Sequence, residues 1–273
     1  MRAAEWINLA FFTAMTAGAV LRPLEPRRRK RAVAWGAVGT GVVAFCYLFA
    51  SPSGLPAFSL IRDWAPAPLL LVAYWQAGQL AQKASPRLQN MLVNLDRVWW
   101  RETQPTRNAS RASRVAGYLE LAYLTCYPLV PLAYSFCYFR DAGGCADTFW
   151  RTVVPPTYFC YALVPFLPHF PPRMLSEERS IDISARGVRR WNLWLLDRGS
   201  IGFNTFPSAH VASTMAASLI LWHHQPNVGF WFLLVAGSIA VGAVVRRYHY
   251  GLDSLAAVAL AVLSLCLNVY VTD

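Results

Sequence analysis

The chain has 273 residues, of which 56% are hydrophobic and only 14% are charged, and its formal net charge is +11. A single soluble core cannot bury that much apolar side chain, so the composition excludes an ordinary soluble globular protein. It indicates a multi-span helical membrane protein, in which the basic excess reports on topology and not on nucleic-acid binding.

Apolar windows close to the ~20 residues that cross a bilayer recur along the chain. They predict an all-α polytopic bundle of about eight transmembrane helices. The windows lie at residues 4–21, 32–50, 66–82, 115–138, 152–168, 209–223, 228–245 and 252–271. The first could be a signal peptide, but the basic run that follows Arg22 favours a retained helix. The third is the weakest, because Gln76 and Gln79 interrupt it.

Basic residues are concentrated on one face of the predicted bundle. The loops near 22–31, 83–114, 169–208 and 246–251 hold 21 of the 25 lysines and arginines. By the positive-inside rule, this face is expected to be cytoplasmic. On the other face, Cys137 and Cys145 flank one loop and could pair if that side is oxidising.

An amphipathic pattern fills residues 86–101, inside one of the basic loops. Leu88, Met91, Leu92 and Leu95 recur at three- and four-residue steps, and polar residues lie mostly opposite. This pattern predicts a helix lying in the membrane interface. The alternative is a helix that packs on the cytoplasmic side of the bundle.

The segment "RRYHYGLD" places Asp253 four residues after His249. If the last helix begins near Tyr248, both side chains share one helix face. A carboxylate beside an imidazole fixes its tautomer and raises its basicity, which suits a nucleophile or a base. The alternative is a pair that only caps the last helix.

The segment "FPSAH" places Ser208 and His210 at the start of an apolar helix. A helix N-terminus offers free N–H groups and a positive dipole end, which favour phosphate, although Ser208 can also serve only as a cap. Two histidines, one with a carboxylate, beside an arginine-rich loop suit phosphoryl transfer through a phosphohistidine.

These two segments, with "FPPRML" at 170–175, resemble the signature motifs of the type 2 phosphatidic acid phosphatase superfamily, which includes vanadium haloperoxidases. The branch resembled contains sphingolipid synthases and inositol phosphotransferases, in which His-Tyr-x-x-Asp is typical. The resemblance covers roughly 150–271 and implies a six-helix catalytic core within 56–273. Residues 1–55 would then form two extra N-terminal transmembrane helices.

The resemblance also implies a role for each matching residue. His249 would be the nucleophile, Asp253 its orienting partner and His210 the acid that protonates the leaving oxygen. Ser208 and Arg173 would hold phosphate oxygens.

Two positions depart from the superfamily pattern. Phe166 stands where a lysine is common, and Ala243 where an arginine is common. Arg246 and Arg247 are expected to replace the missing arginine at the phosphate, as basic residues do just before the His-Tyr pair in the sphingolipid synthase branch.

The sequence thus predicts an integral membrane lipid-phosphate phosphatase that needs no cofactor and no nucleic acid. Its partners would be a membrane lipid phosphate as substrate and anionic lipid headgroups. A lipid phosphotransferase using the same site remains open, and so do a transporter and a non-catalytic lipid-binding protein. A His/His/Asp metal site is a minor alternative.

Overall fold

The computed structural model describes residues 1–49, 56–100, 109–141, 143–175 and 187–270. In these ranges the chain folds into α-helices, one short 3-10 helix (Pro172–Met174) and loops, so the predicted all-α class is confirmed. The α-helices are α1 (Ala3–Leu21), α2 (Pro26–Phe49), α3 (Pro56–Trp64), α4 (Pro66–Leu80), α5 (Pro86–Trp100), α6 (Ala109–Leu124), α7 (Cys126–Arg140), α8 (Ala146–Leu163), α9 (Val188–Gly199), α10 (Ala209–His224), α11 (Pro226–Val245) and α12 (Gly251–Tyr270).

Within the described part of the chain, four helices are long and apolar enough to cross a membrane by themselves: α1, α2, α11 and α12. A fifth span results if α6 and α7, which meet at a 58° bend, are taken together. The other three predicted windows fold as α4, α8 and α10, and two of these have only 15 and 16 residues. The multi-pass bundle is therefore confirmed, and four or five spans qualify by length and composition alone.

Helix α10 occupies the centre of the bundle and explains why a short helix suffices there. It contacts α7, α8, α11 and α12. Small buried residues such as Ala212, Ala216 and Ala217 let these neighbours approach closely. Because protein covers α10 on several sides, its length need not match the lipid layer.

The N-terminal helices pack as a group against the same core, since α1, α2 and α4 contact one another and α1 and α4 also contact α8. Gln76, which weakened the third predicted span, is fully buried between them. Its amide nitrogen donates to the Thr16 hydroxyl at 2.9 Å and to the Ala32 carbonyl at 3.2 Å. The polar interruption is therefore a link between helices that lets α4 remain buried.

The loops predicted to share one face do gather at one end of the bundle, which we call the basic end. Arg22, after α1, donates to the Pro165 carbonyl at 3.0 Å, and Arg28, at the start of α2, donates to the Gly78 carbonyl at 2.9 Å. Hence α1, α4 and α8 finish where α2 begins.

At the opposite end, Glu5 pairs with Arg62. The Gln225 side chain there donates to the Phe136 carbonyl at 2.8 Å. Cys137 and Cys145 also lie at this end, and both are buried free thiols in the structure.

Helix α5 forms where the amphipathic pattern predicted it, but it is fastened to the bundle. Leu92 is fully buried, and the Asp96 carboxylate accepts from the Gly251 backbone at 2.9 Å. Met91 and Val98 are exposed, the latter by 73%. The helix thus packs on the bundle through one face and presents apolar residues outward on another, while Arg101 lies outside the described residues.

A close backbone contact between α10 and α11 generates a stability prediction. A Cβ at Gly229 on α11 would lie 2.1 Å from the Cα of Trp222 on α10, and backbone cannot move aside as a flexible side chain can. We expect Gly229→Ala to lower the melting temperature of the detergent-purified protein, because such overpacking costs roughly 1–3 kcal/mol.

Gly237→Ala is the matched control on the same helix, since a Cβ there meets no atom within 4 Å. Alanine in place of glycine inside a helix should leave the melting temperature unchanged or raise it slightly. Equal melting temperatures for the two variants would contradict the proposed close approach.

Candidate active site

Backbone hydrogen bonds join the three sequence motifs at the basic end. The Ser208 amide donates to the Asp253 carbonyl at 3.1 Å, which links the start of α10 to the start of α12. The Arg173 amide donates to the Arg247 carbonyl, also at 3.1 Å. The motifs, which are far apart in sequence, therefore form one site.

A sharp turn after α11 carries the histidine of the last motif. Arg247 has φ 65°, a left-handed conformation that is uncommon for a residue with a side chain and that commonly ends helices. The amides of Tyr248 and His249 then both donate to the Ala243 carbonyl at 2.8 Å. The turn caps α11 and places His249 just before α12.

His249 is paired with Asp253, as the four-residue spacing predicted. Its Nδ1 lies 3.2 Å from Asp253 Oδ2, which also accepts from the Tyr250 amide at 3.2 Å. Since a carboxylate only accepts, Nδ1 carries the proton and Nε2 keeps a free lone pair. Burial lowers the pKa of His249 although Asp253 opposes this shift, so the neutral, nucleophilic imidazole prevails at neutral pH.

His210 lies across a small cavity from His249, with 6.4 Å between the two ring centroids. The edge of the Tyr127 ring packs against His210, at 5.5 Å between centroids. The cavity measures about 30 Å³, room for about one water molecule. Its lining comprises Tyr74, Tyr123, Tyr161, Arg173, Leu196, Ser200, Phe203, Asn204, Thr205, Ala209, His210 and His249.

Arg173 supplies a buried positive charge to this cavity. It lies in the 3-10 helix and is only 7% exposed, and its guanidinium carbon is 5.3 Å from the centroid of the Tyr248 ring. Among the residues that the structure describes, no carboxylate lies within 4.0 Å of this guanidinium. A buried cation without an anionic partner is costly, so the cavity is suited to an anion.

Comparison with known proteins agrees with this geometry. The family model of the PAP2 superfamily matches residues 90–267, about two thirds of the chain. The chain belongs to the PAP2 superfamily. A PA-phosphatase related-family protein from Dictyostelium discoideum is 36% identical over 63 residues, which are 23% of this chain and 11% of that protein. No solved structure matches the chain.

The structure brings His249, Asp253, His210 and Arg173 together, but the other three predicted residues stand apart from the cavity lining. Ser208 is fully buried and caps α10, its hydroxyl accepting from the Val211 amide at 3.4 Å.

Arg246 and Arg247 instead meet carboxylates. The Nε of Arg246 lies 2.6 Å from Glu120, and the Nη1 of Arg247 lies 2.9 Å from Asp96. Their predicted contact with phosphate, like that of Ser208, remains a prediction for this PAP2 superfamily member.

Glu120 binds several residues beside His249. Its carboxylate accepts from the Tyr248 hydroxyl and from Arg189, both at 2.6 Å, and from the Asn192 side chain at 2.7 Å. The ring of Tyr248 stacks flat on Tyr123, with centroids 4.0 Å apart. Glu120 therefore holds Tyr248, the residue next to His249, and fastens α9 to the turn that carries His249.

Two residues that contact His249 or Asp253 were assigned no role by the sequence analysis. His169 is fully buried, and its Nε2 lies 3.3 Å from Asp253 Oδ2. Asn204 donates from its side chain to the Tyr248 carbonyl at 2.8 Å and lies 3.2 Å from His249 Nδ1. The two segments meet through a bridge between His169 and Asn204, a long-range pairing that leaves no periodic signal in the sequence.

The minor alternative of a metal site gains no support from the described part of the chain. There, no group of three or more histidine, cysteine, aspartate or glutamate side chains is arranged to hold a metal ion. Asp253 instead contacts His249 and His169 with a single oxygen, Oδ2.

Proposed function

We propose that this PAP2 superfamily protein is a lipid-phosphate phosphatase that works through a phosphohistidine on His249. The observation that carries the proposal is the buried Arg173, which has no described carboxylate partner and lines the same cavity as His210 and as His249, the partner of Asp253. A phosphate group would supply the missing negative charge. The guanidinium can bind two phosphate oxygens through parallel hydrogen bonds.

In the first step, His249 Nε2 attacks phosphorus while the bond from phosphorus to the lipid oxygen breaks. His210, protonated once the phosphate group lies beside it, gives its proton to that oxygen, so the lipid leaves as an alcohol. Asp253 stabilises the positive charge that develops on the His249 ring. In the second step, water attacks phosphorus, the nitrogen–phosphorus bond breaks and His210 regains a proton, releasing inorganic phosphate.

A phosphotransferase is the second candidate, because an alcohol in place of water would use the same intermediate. The basic residues directly before His-Tyr in "RRYHY" favour it, since they resemble the sphingolipid synthase branch. The acceptor decides between the two activities, so both are measured in one assay of phosphate release from lipid phosphates with and without an added alcohol.

Replacing the histidines tests the mechanism. His249→Ala should abolish both turnover and the phosphoenzyme, because it removes the attacking nitrogen. His210→Ala should slow release of an alkoxide leaving group by ~10²–10⁴-fold, and it should slow release of nitrophenolate much less, because that group needs little protonation. Phosphate release from lipid phosphate and from nitrophenyl phosphate gives both rates.

Near-normal turnover in His249→Ala would exclude the assignment of the nucleophile. Vanadate should inhibit the wild-type protein, and a chelator should not. Loss of activity in chelator that a divalent metal restores would instead favour the metal-site alternative.

Replacing Arg173 by lysine tests the phosphate contact. Lysine keeps the charge but cannot copy the two parallel donors, so we expect roughly a 10²-fold loss of turnover with normal expression and folding. Arg190→Lys is the matched control, because Arg190 is an exposed arginine at the same end. Unchanged turnover in Arg173→Lys would mean that another cation binds the phosphate.

We also propose that the basic end, and with it the active site, faces the cytoplasm. A cysteine at Glu25, exposed between α1 and α2, should react with a membrane-impermeant thiol reagent only after the membrane is opened. A cysteine at Asn227, exposed at the opposite end, should react in intact cells. The unmodified chain is the blank, because its described cysteines are buried or half-buried. The reverse labelling pattern would place the chemistry outside.

A further inference from the structure

A second, larger cleft opens beside the catalytic cavity at the basic end. Its volume is about 740 Å³, within the range of sites that bind whole small molecules. The residues that line it are Arg28, Gln82, Lys83, Ala84, Phe170 and Phe203.

The cleft shares one wall with the catalytic cavity. Phe203 lines both, and its ring stacks on Phe170 with 5.3 Å between centroids. Phe170 stands three residues before Arg173 in the segment that carries the phosphate-binding arginine. Whatever occupies the cleft therefore presses on a side chain that also borders the reacting groups.

Residues outside the PAP2 superfamily match build the rest of the cleft. The match begins at residue 90, whereas Arg28 comes from α2, and Gln82, Lys83 and Ala84 follow α4. The same N-terminal part also reaches the catalytic cavity through Tyr74 on α4, whose hydroxyl accepts from the Ile201 amide at 3.0 Å. This part of the chain thus adds binding surface beside a catalytic core that has its own motifs.

Cationic and aromatic side chains line the cleft together. Arg28 uses Nη2 to bind the Gly78 and Ala81 carbonyls, which caps α4 and holds the guanidinium beside the cleft. Lys83 is exposed, and no carboxylate of the described residues lies within 4.0 Å of it. An anionic group with an apolar remainder complements such a surface.

We propose that this cleft binds the headgroup of a second, non-reacting anionic phospholipid, which supports Phe203 and thereby raises turnover. The cleft lies at the basic end of the bundle, where exposed lysines and arginines attract anionic headgroups. The increase in turnover rests on the proposed phosphatase function, whereas lipid binding does not.

Binding is measured first, with fluorescent phosphatidylglycerol added to the purified full chain in neutral detergent. Lys83→Glu removes one positive charge and adds a negative one, so we expect it to weaken saturable binding about tenfold or more. Lys30→Glu is the matched control, because Lys30 is exposed at the same end but does not line the cleft. It should bind as the wild type does, and Lys83→Arg should also retain binding.

Activity is measured second, with soluble nitrophenyl phosphate in nanodiscs of phosphatidylcholine with or without phosphatidylglycerol. A soluble substrate is used because its concentration at the surface is nearly independent of lipid charge when salt is high. Phosphatidylglycerol should raise turnover several-fold in the wild type and in Lys30→Glu but not in Lys83→Glu.

Equal binding of phosphatidylglycerol by the wild type and Lys83→Glu would overturn the proposal. So would a raised KM for lipid phosphate in Lys83→Glu without any effect of phosphatidylglycerol, because the cleft would then hold the reacting lipid itself. If no substrate is hydrolysed under any condition, the phosphatase function fails, and the binding measurement alone decides the role of the cleft.

Discussion

The arrangement of chain segments at the basic end of this protein depends on the buried carboxylate of Asp253. Asp253 Oδ2 lies within 3.3 Å of the imidazoles of His249 and His169 and of the Tyr250 amide, which come from two chain segments. The backbone carbonyl of Asp253 accepts from the Ser208 amide. A fully buried carboxylate without such donors would be costly, and here all of them converge on Oδ2. The requirement to satisfy Asp253 therefore brings the segments that carry His249, His210 and Arg173 into one place.

Three other described arginines close to the site also meet buried carboxylates. Arg189 and Arg246 meet Glu120, and Arg247 meets Asp96. Because these arginines neutralise carboxylates of α5 and α6, they fix the turn that carries His249 in position. Arg173 lines the cavity without a described carboxylate partner, so the anion that best complements the site is one that the substrate brings.

The helices, their order and the shared face of the basic loops followed from hydropathy and charge, since both are encoded locally. The His249–Asp253 pair followed from a four-residue spacing on a helix. The short lengths of α4 and α10 did not follow from the sequence, because other helices cover them and lipid does not determine their length. The partners of Arg246 and Arg247 could not be predicted from the sequence either. The left-handed turn at Arg247 directs the two side chains to different helices, a geometry that composition does not encode.

The N-terminal helices show that local sequence patterns do not predict every residue that borders the site. Tyr74 and Lys83 carry no motif and lie before the part of the chain that matches the PAP2 superfamily. They nevertheless reach the catalytic cavity and the adjacent cleft, because buried Gln76 holds α4 between α1 and α2 and thereby fixes the loop that follows. Three short motifs thus meet around Asp253, whereas the N-terminal helices that border them share no sequence feature beyond being apolar.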